Sequence, residues 1–163
     1  MPQTVDIATP SDVEIQVTRA FDAPAQLVFD YHTKPEYVQK WLLGPPGWSM
    51  PICEIELTVG GRYQYVWRND ANESEFGARG EYLEIVAPER IVHSERMDGV
   101  QGEALCTLTF VQNGARTTLT TTIRFGSKEA RDQALQSGMT DGMSASYTRL
   151  EAVMNEKSIA KRL

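Results

Sequence analysis

Cysteine and histidine are scarce in this sequence, which contains only two residues of each type. Cys53 and Cys106 lie in separate segments and form no CxxC motif, so the spacing typical of structural zinc sites and redox-active pairs is absent. With His32 and His93 as the only histidines, a metal site built from three histidines is excluded. We therefore expect no metal and no other cofactor.

Excess positive charge and long apolar runs are also lacking. Sixteen lysines and arginines against 22 acidic residues give a formal net charge of −6, and no basic cluster suits a nucleic-acid backbone. No apolar run approaches the ~20 residues of a membrane-spanning helix, and residues 1–12 carry no signal-peptide pattern. We expect a cytoplasmic protein that binds neither nucleic acid nor membranes.

Common catalytic motifs are missing as well. The sequence contains no GxSxG, GxxxxGK[ST], GxGxxG or HExxH, so the usual hydrolase, nucleotide-binding and zinc-protease functions have no support. We assign no catalytic residue, and a binding protein is favoured over an enzyme.

The 163 residues suit a single domain, 1–163, with residues 1–12 as an N-terminal extension. Alternation of apolar and polar residues predicts a first strand over 13–20, and two short helices follow over 22–33 and 35–42. A helical period returns over 127–156 and predicts one long final helix. Strands are predicted between these helices over 52–59, 62–68, 78–86, 91–97, 103–112 and 116–125. Helices segregated from an antiparallel sheet indicate an α+β fold.

The final helix carries an unusual set of small residues. Gly138, Gly142 and Ser146 recur every four residues, and each glycine costs about 1 kcal/mol relative to alanine in a helix. Met139 and Met143, beside them, have flexible side chains suited to an adaptable apolar wall. This stripe either lets the sheet approach closely or leaves a space beneath the helix, and the pattern alone does not decide between the two.

Several short motifs, in order and in register, resemble those of one superfamily. They are Phe21–Pro24, Thr33–Glu36, Trp41–Pro45, Val59–Gly61, Gly80–Ile85, Pro88–Ile91 and Gly142–Leu150. The sequence from Glu14 to Val153 resembles the START-like, Bet v 1-like (SRPBCC) superfamily, specifically bacterial homologues of the C-terminal domain of the heat-shock protein 90 ATPase activator.

That resemblance implies a helix-grip fold. In it, a curved antiparallel sheet of about seven strands wraps around a long C-terminal helix, two short helices lie between strands one and two, and a cavity lies between sheet and helix. Many relatives have a tryptophan after the helix glycine, whereas this sequence has Met143. A flexible thioether is therefore expected where those relatives have an aromatic side chain.

The strand patterns select residues for the wall of such a cavity. Alternation sets the three aromatic residues of segment 62–68 on one face, and it sets His93 and Glu95 together on another strand. Tyrosine and tryptophan need a polar partner when buried, as in many ligand pockets, although an aromatic-rich core gives the same pattern. The inner face of segment 78–86 stays unassigned, and Trp41 and Trp48 suit either a cavity entrance or a satellite core. The candidate ligand-binding residues are Trp41, Trp48, Tyr63, Tyr65, Trp67, Tyr82, His93, Glu95, Met139 and Met143.

Three functions are compatible with these observations. The first is binding of a small hydrophobic or amphipathic ligand in the cavity. The second is a polyketide cyclase- or aromatase-like enzyme in which His93 and Glu95 move protons. The third is a co-chaperone that activates heat-shock protein 90, and association into a homodimer is also left open.

Overall fold

An antiparallel sheet of eight strands is the base of the fold, as seen in a computed structural model that describes residues 5–162 and the side chains of residues 5–156. The α+β helix-grip architecture predicted from the sequence is confirmed. The strands are β1 (Asp6–Ala8), β2 (Glu14–Phe21), β3 (Trp48–Ile55), β4 (Arg62–Asn69), β5 (Glu75–Val86), β6 (Arg90–Met97), β7 (Ala104–Asn113) and β8 (Arg116–Arg124). The helices are α1 (Ala25–Thr33), α2 (Pro35–Trp41), α3 (Lys128–Gln136) and α4 (Met139–Arg162).

The sheet order is β1-β2-β8-β7-β6-β5-β4-β3, so β1 and β3 are its edges. Strand β1 was not predicted, because its three exposed residues show no alternation of buried and exposed positions. Strand β3 begins and ends four residues before its predicted bounds. An edge position tolerates Pro51 within β3, where the register also shifts between Ser49 and Ile52.

A bulge in β5 explains why its sequence pattern gave no single inner face. Tyr82 pairs with His93, and Glu84 pairs with Val92, so Leu83 is one residue too many on β5. Before the bulge, Tyr82 points inward; after it, Ile85 does, and Leu83 is exposed. The inner face of β5 therefore follows the alternation that contains Tyr82 before the bulge and the one that contains Ile85 after it.

The single final helix predicted over 127–156 is wrong, because the structure has two helices there. Gly138 lies between α3 and α4 with a φ of +84°, in the left-handed region that favours glycine. Its position is therefore explained by the turn between the helices and not by packing beneath one long helix. None of the helices in residues 5–162 combines the length and apolar character that crossing a bilayer requires.

Helix α4 packs unevenly along its length. Tyr147, Leu150 and Met154 are almost fully buried, and the Tyr147 ring meets the Phe21 ring of β2 edge-on with centroids 5.7 Å apart. Its first turns carry Met139 and Met143, which are only half-buried. The two layers are consequently tight at the β2 side and looser near the start of α4.

Candidate functional site

The aromatic residues of β4 form a ladder on the inner face of the sheet. The rings of Tyr63 and Tyr65 lie 4.9 Å apart, and those of Tyr65 and Trp67 lie 5.8 Å apart. Tyr63 is buried, whereas Tyr65 and Trp67 are half-buried. The predicted face of this strand is thus the inner one, and part of its aromatic surface remains open.

Tyr63 reaches across the sheet because its neighbour on β5 is a glycine. Gly80 is the register partner of Tyr63, and a Cβ at that position would overlap both the Ser94 carbonyl and the Tyr63 ring. In this space the Tyr63 hydroxyl donates a hydrogen bond to the Ser94 carbonyl over 3.0 Å. Burial strongly raises the pKa of Tyr63, so the hydroxyl stays protonated.

His93 lies among these aromatic side chains on the inner face of β6. Its ring meets that of Tyr63 edge-on at 5.0 Å and that of Tyr82 at 6.1 Å, and its Nδ1 lies 2.9 Å from the Ser94 carbonyl. Burial lowers the pKa of His93, while the hydrogen bond to Ser94 and the charge of Glu95 act in the opposite direction. The imidazole is therefore neutral at pH 7.

Glu95 is paired with a cysteine and not with His93. The Cys106 thiol donates a hydrogen bond to Glu95 Oε2 over 3.2 Å. Burial and the neighbouring carboxylate raise the pKa of Cys106 well above its usual value, so the sulfur is a thiol and not a nucleophilic thiolate. His93 and Glu95 share a face, as predicted, but hydrogen bonds direct each of them to a different partner.

Trp41 and Trp48, which suit either a cavity entrance or a satellite core, have different environments. Trp41 is only 2% exposed, donates a hydrogen bond from its indole to the Tyr31 carbonyl over 2.7 Å, and stacks on Tyr147 in the core. Trp48 is half-buried and meets Phe76 edge-on at 5.4 Å. Trp48 thus lies at the edge of the inner face, whereas Trp41 belongs to the packed core.

The segment between α2 and β3 is tied to both layers. The Trp67 indole donates to the Leu42 carbonyl over 2.7 Å, which joins this segment to the sheet. The Gly44 amide donates to Ser146 Oγ over 2.9 Å, and Arg149 donates to the Gly44 carbonyl over 3.2 Å, which joins it to α4. These bonds hold the segment against both the sheet and α4.

The start of α4 is less enclosed than the rest of the helix. Met139 and Met143 pack against the core yet remain half-buried, and a Cβ built on Gly142 would meet no atom within 4 Å. Tyr82 belongs to the same core and is 3% exposed. The predicted residues of β4, β5 and β6 therefore share one inner face, on the side of the sheet that carries the helices.

His32 is a site residue that was not selected from the sequence. It lies on α1 with Nδ1 2.8 Å from the Val28 carbonyl, and its ring meets those of Trp41 and Phe110 at 4.8 and 5.4 Å. Burial lowers its pKa to about 4, and nearby His93 adds to the lowering. Its spacing of four residues from Val28 was the available signal, since Val28 itself is a core position.

Comparison with known proteins supports one family. A family model described as activator of Hsp90 ATPase homolog 1-like protein matches residues 22–155. A crystal structure from Rhodobacter sphaeroides is similar at 27% identity and a TM-score of 0.89, over 94% of this chain and 99% of that one. A solution NMR structure from Staphylococcus epidermidis is similar at 29% identity and a TM-score of 0.79, over 93% and 94% of the two chains.

A more distant similarity extends to a chaperone activator. The crystal structure of an HSP90 activator from Plasmodium falciparum shares the fold at 17% identity and a TM-score of 0.64, over 88% of this chain and 96% of that one. No curated protein matches the chain.

Proposed function

The chain belongs to the family of activator of Hsp90 ATPase homolog 1-like proteins, and from this membership we propose that it binds a small hydrophobic or amphipathic ligand between its sheet and α4. One observation carries the proposal. The inner-face side chains of Tyr65, Trp67 and His93 keep accessible surface, as do Met139 and Met143 at the start of α4, whereas Tyr147 and Leu150 are enclosed in the core. Apolar walls with a few polar groups are typical of small-molecule sites.

The remaining predicted lining residues lie on the same inner face or at the start of α4. Tyr63, Tyr82 and Glu95 supply hydroxyl and carboxylate groups, while Met139 and Met143 supply adaptable apolar contacts. The aromatic rings offer large contact areas with few rotatable bonds. We expect a ligand with an apolar skeleton and a small number of polar groups.

Ligand retention is the direct test. The protein is purified from its own host and examined by native mass spectrometry, and its thermal unfolding is then followed with aromatic, polyketide and lipid compounds. We expect retained mass or a raised Tm with at least one class, because a ligand that binds only the folded state stabilises it. Absence of both would contradict the proposal.

A matched pair of variants tests whether the compounds bind near Met143. Met143→Trp fills the space below α4, so we expect it to abolish the Tm shift while leaving the fold intact. Thr148→Trp introduces the same side chain on the exposed face of the same helix and should leave the Tm shift unchanged. Equal Tm shifts in both variants would mean that the compounds bind elsewhere.

Heat-shock protein 90 activation has no separate support from the site. The similarity to the Plasmodium falciparum protein concerns the fold, and HSP90 activation is a description of that protein. Stimulation of the host chaperone's ATPase by this chain, with no ligand bound, would favour that function over ligand binding.

A further inference from the structure

The two histidines of the chain present the same chemistry from two elements, α1 and β6, and they are near enough to interact electrostatically. His32 Nδ1 lies 2.8 Å from the Val28 carbonyl on α1, and His93 Nδ1 lies 2.9 Å from the Ser94 carbonyl on β6. A carbonyl oxygen only accepts hydrogen bonds, so the proton of each neutral ring is on Nδ1. Each Nε2 therefore carries a lone pair and acts as an acceptor.

Both rings are neutral at pH 7 because burial lowers the pKa of each one, to about 4 for His32. A charged imidazole would donate from both nitrogens, whereas these two rings offer one acceptor each. The fixed Nδ1 bonds also restrict ring rotation, so both acceptors are held in place before any ligand arrives.

Neither Nε2 receives a hydrogen bond from residues 5–156. Among these same residues, the one buried side-chain nitrogen or oxygen without a partner is Oε2 of Glu151. The Nε2 atoms of His32 and His93 are consequently not sealed in the core, and they border accessible space. Polar groups of a partly buried site need partners, and a ligand can supply them.

We infer that the site takes an uncharged, mainly apolar ligand whose hydroxyl or N–H groups donate hydrogen bonds to Nε2 of His32 and Nε2 of His93. This inference rests on the proposed function and names its ligand class. Two acceptors, one on α1 and one on β6, select a molecule with two donor groups separated by an apolar skeleton.

Charge in the surroundings argues against an anionic ligand. Glu95 is an acceptor beside His93, and among the described side chains of residues 5–156 its donor partner is Cys106. Two arginines of the helix–sheet layer are engaged elsewhere, since Arg149 donates to the carbonyls of Trp41 and Gly44, and Arg19 donates to that of Ala20. A carboxylate ligand would meet acceptors without a compensating cation.

Matched pairs of compounds test the inference. Dihydroxynaphthalene and biphenol carry two donors on an apolar skeleton, and their dimethyl ethers keep the skeleton but donate nothing. The corresponding dicarboxylates add negative charge. Affinities are measured by isothermal titration calorimetry at pH 7.5. One ordinary hydrogen bond is worth about fivefold in affinity, so we expect the better diol to bind about 25-fold more tightly than its ether.

Two substitutions at each histidine distinguish the role of Nε2 from that of Nδ1. His93→Asn keeps an amide near the Nδ1 position but removes the Nε2 acceptor, whereas His93→Gln places an amide oxygen near Nε2. We expect the diol preference to fall about fivefold in His93→Asn and to persist in His93→Gln. His32→Asn and His32→Gln repeat the comparison on α1, so a variant that fails to fold at one position leaves the other pair decisive.

The outcomes separate this inference from the proposed function. If ethers bind as tightly as diols, or dicarboxylates bind more tightly, the space binds ligands but the donor requirement is wrong. If the preference is unchanged in both Asn variants, the histidines are not its source. If no compound binds and no native ligand is retained, the proposed function and this inference both fail.

Discussion

Acid is predicted to destabilise this fold through one buried imidazole. His32 has a pKa of about 4 in the folded protein, against 6.5 in an unfolded chain, because burial disfavours its charged form. Below pH 6.5, the unfolded chain binds a proton that the folded protein does not. The ionisation of His32 therefore does not change stability above pH 6.5, and it lowers the free energy of unfolding as the pH falls towards 4.

The size of this effect follows from the two pKa values. Each unit of difference corresponds to about 1.4 kcal/mol, so the interval from 6.5 to about 4 costs roughly 3 kcal/mol of the free energy of unfolding. Typical domains are stable by only ~5–15 kcal/mol, so a loss of this size is measurable. His93 shifts in the same direction and adds to the loss.

Urea unfolding at a series of pH values measures the effect. Carboxylates also titrate between pH 4 and 6.5, so the wild-type protein is compared with His32→Asn, which keeps an amide donor for the Val28 carbonyl but does not titrate. We expect the difference in free energy of unfolding between the two proteins to shift by about 3 kcal/mol between pH 7 and 4, in favour of the variant. A difference that stays constant with pH would refute the assignment of a buried, neutral His32.

Three further predictions concern packing and the buried thiol. Leu150→Ala should lower the free energy of unfolding by about 2–5 kcal/mol, as measured with urea, and Met143→Ala should lower it clearly less, because Leu150 is fully enclosed and Met143 is not. Equal losses would contradict the uneven packing of α4. Gly80→Ala should cost about 2 kcal/mol or more through overlap, whereas Gly126→Ala, which meets open space, should be nearly neutral by the same measurement. Cys106 should react with iodoacetamide at pH 8 only after unfolding, as followed by peptide mass mapping, because its pKa is raised; rapid labelling of the folded protein would exclude the bond to Glu95.

Most of the fold could be predicted from the alternation of apolar and polar residues within strands. Tyr63 and Tyr65 lie on the inner face as predicted, because a period of two is enforced wherever one side of a sheet is buried. The bulge at Leu83 breaks that period, so a uniform alternation could not assign β5. The break at Gly138 was missed for a related reason, since a helical period continues on both sides of the turn.

The candidate site was harder to predict than the fold, because its polar contacts join distant segments. The bond between Cys106 and Glu95 depends on the pairing of β6 with β7, and the position of His32 depends on how α1 packs against Phe110. No local sequence motif predicts these contacts, because they join residues from distant segments. Trp41 is a further case, since its place in the sequence suited either an entrance or a satellite core, and only the contact of its indole with the Tyr31 carbonyl places it in the core.

Uneven packing along α4 separates the residues that stabilise the fold from those that belong to the proposed ligand site. Tyr147, Leu150 and Met154 close the core, so their substitution acts on the free energy of unfolding. Met139 and Met143 face accessible space, so the chain can vary them at a smaller cost in stability and thereby change which ligand fits. Under the proposed function, a fold divided in this way can keep one architecture while the ligand that fits it changes, because the residues proposed to contact the ligand are not those that hold the layers together.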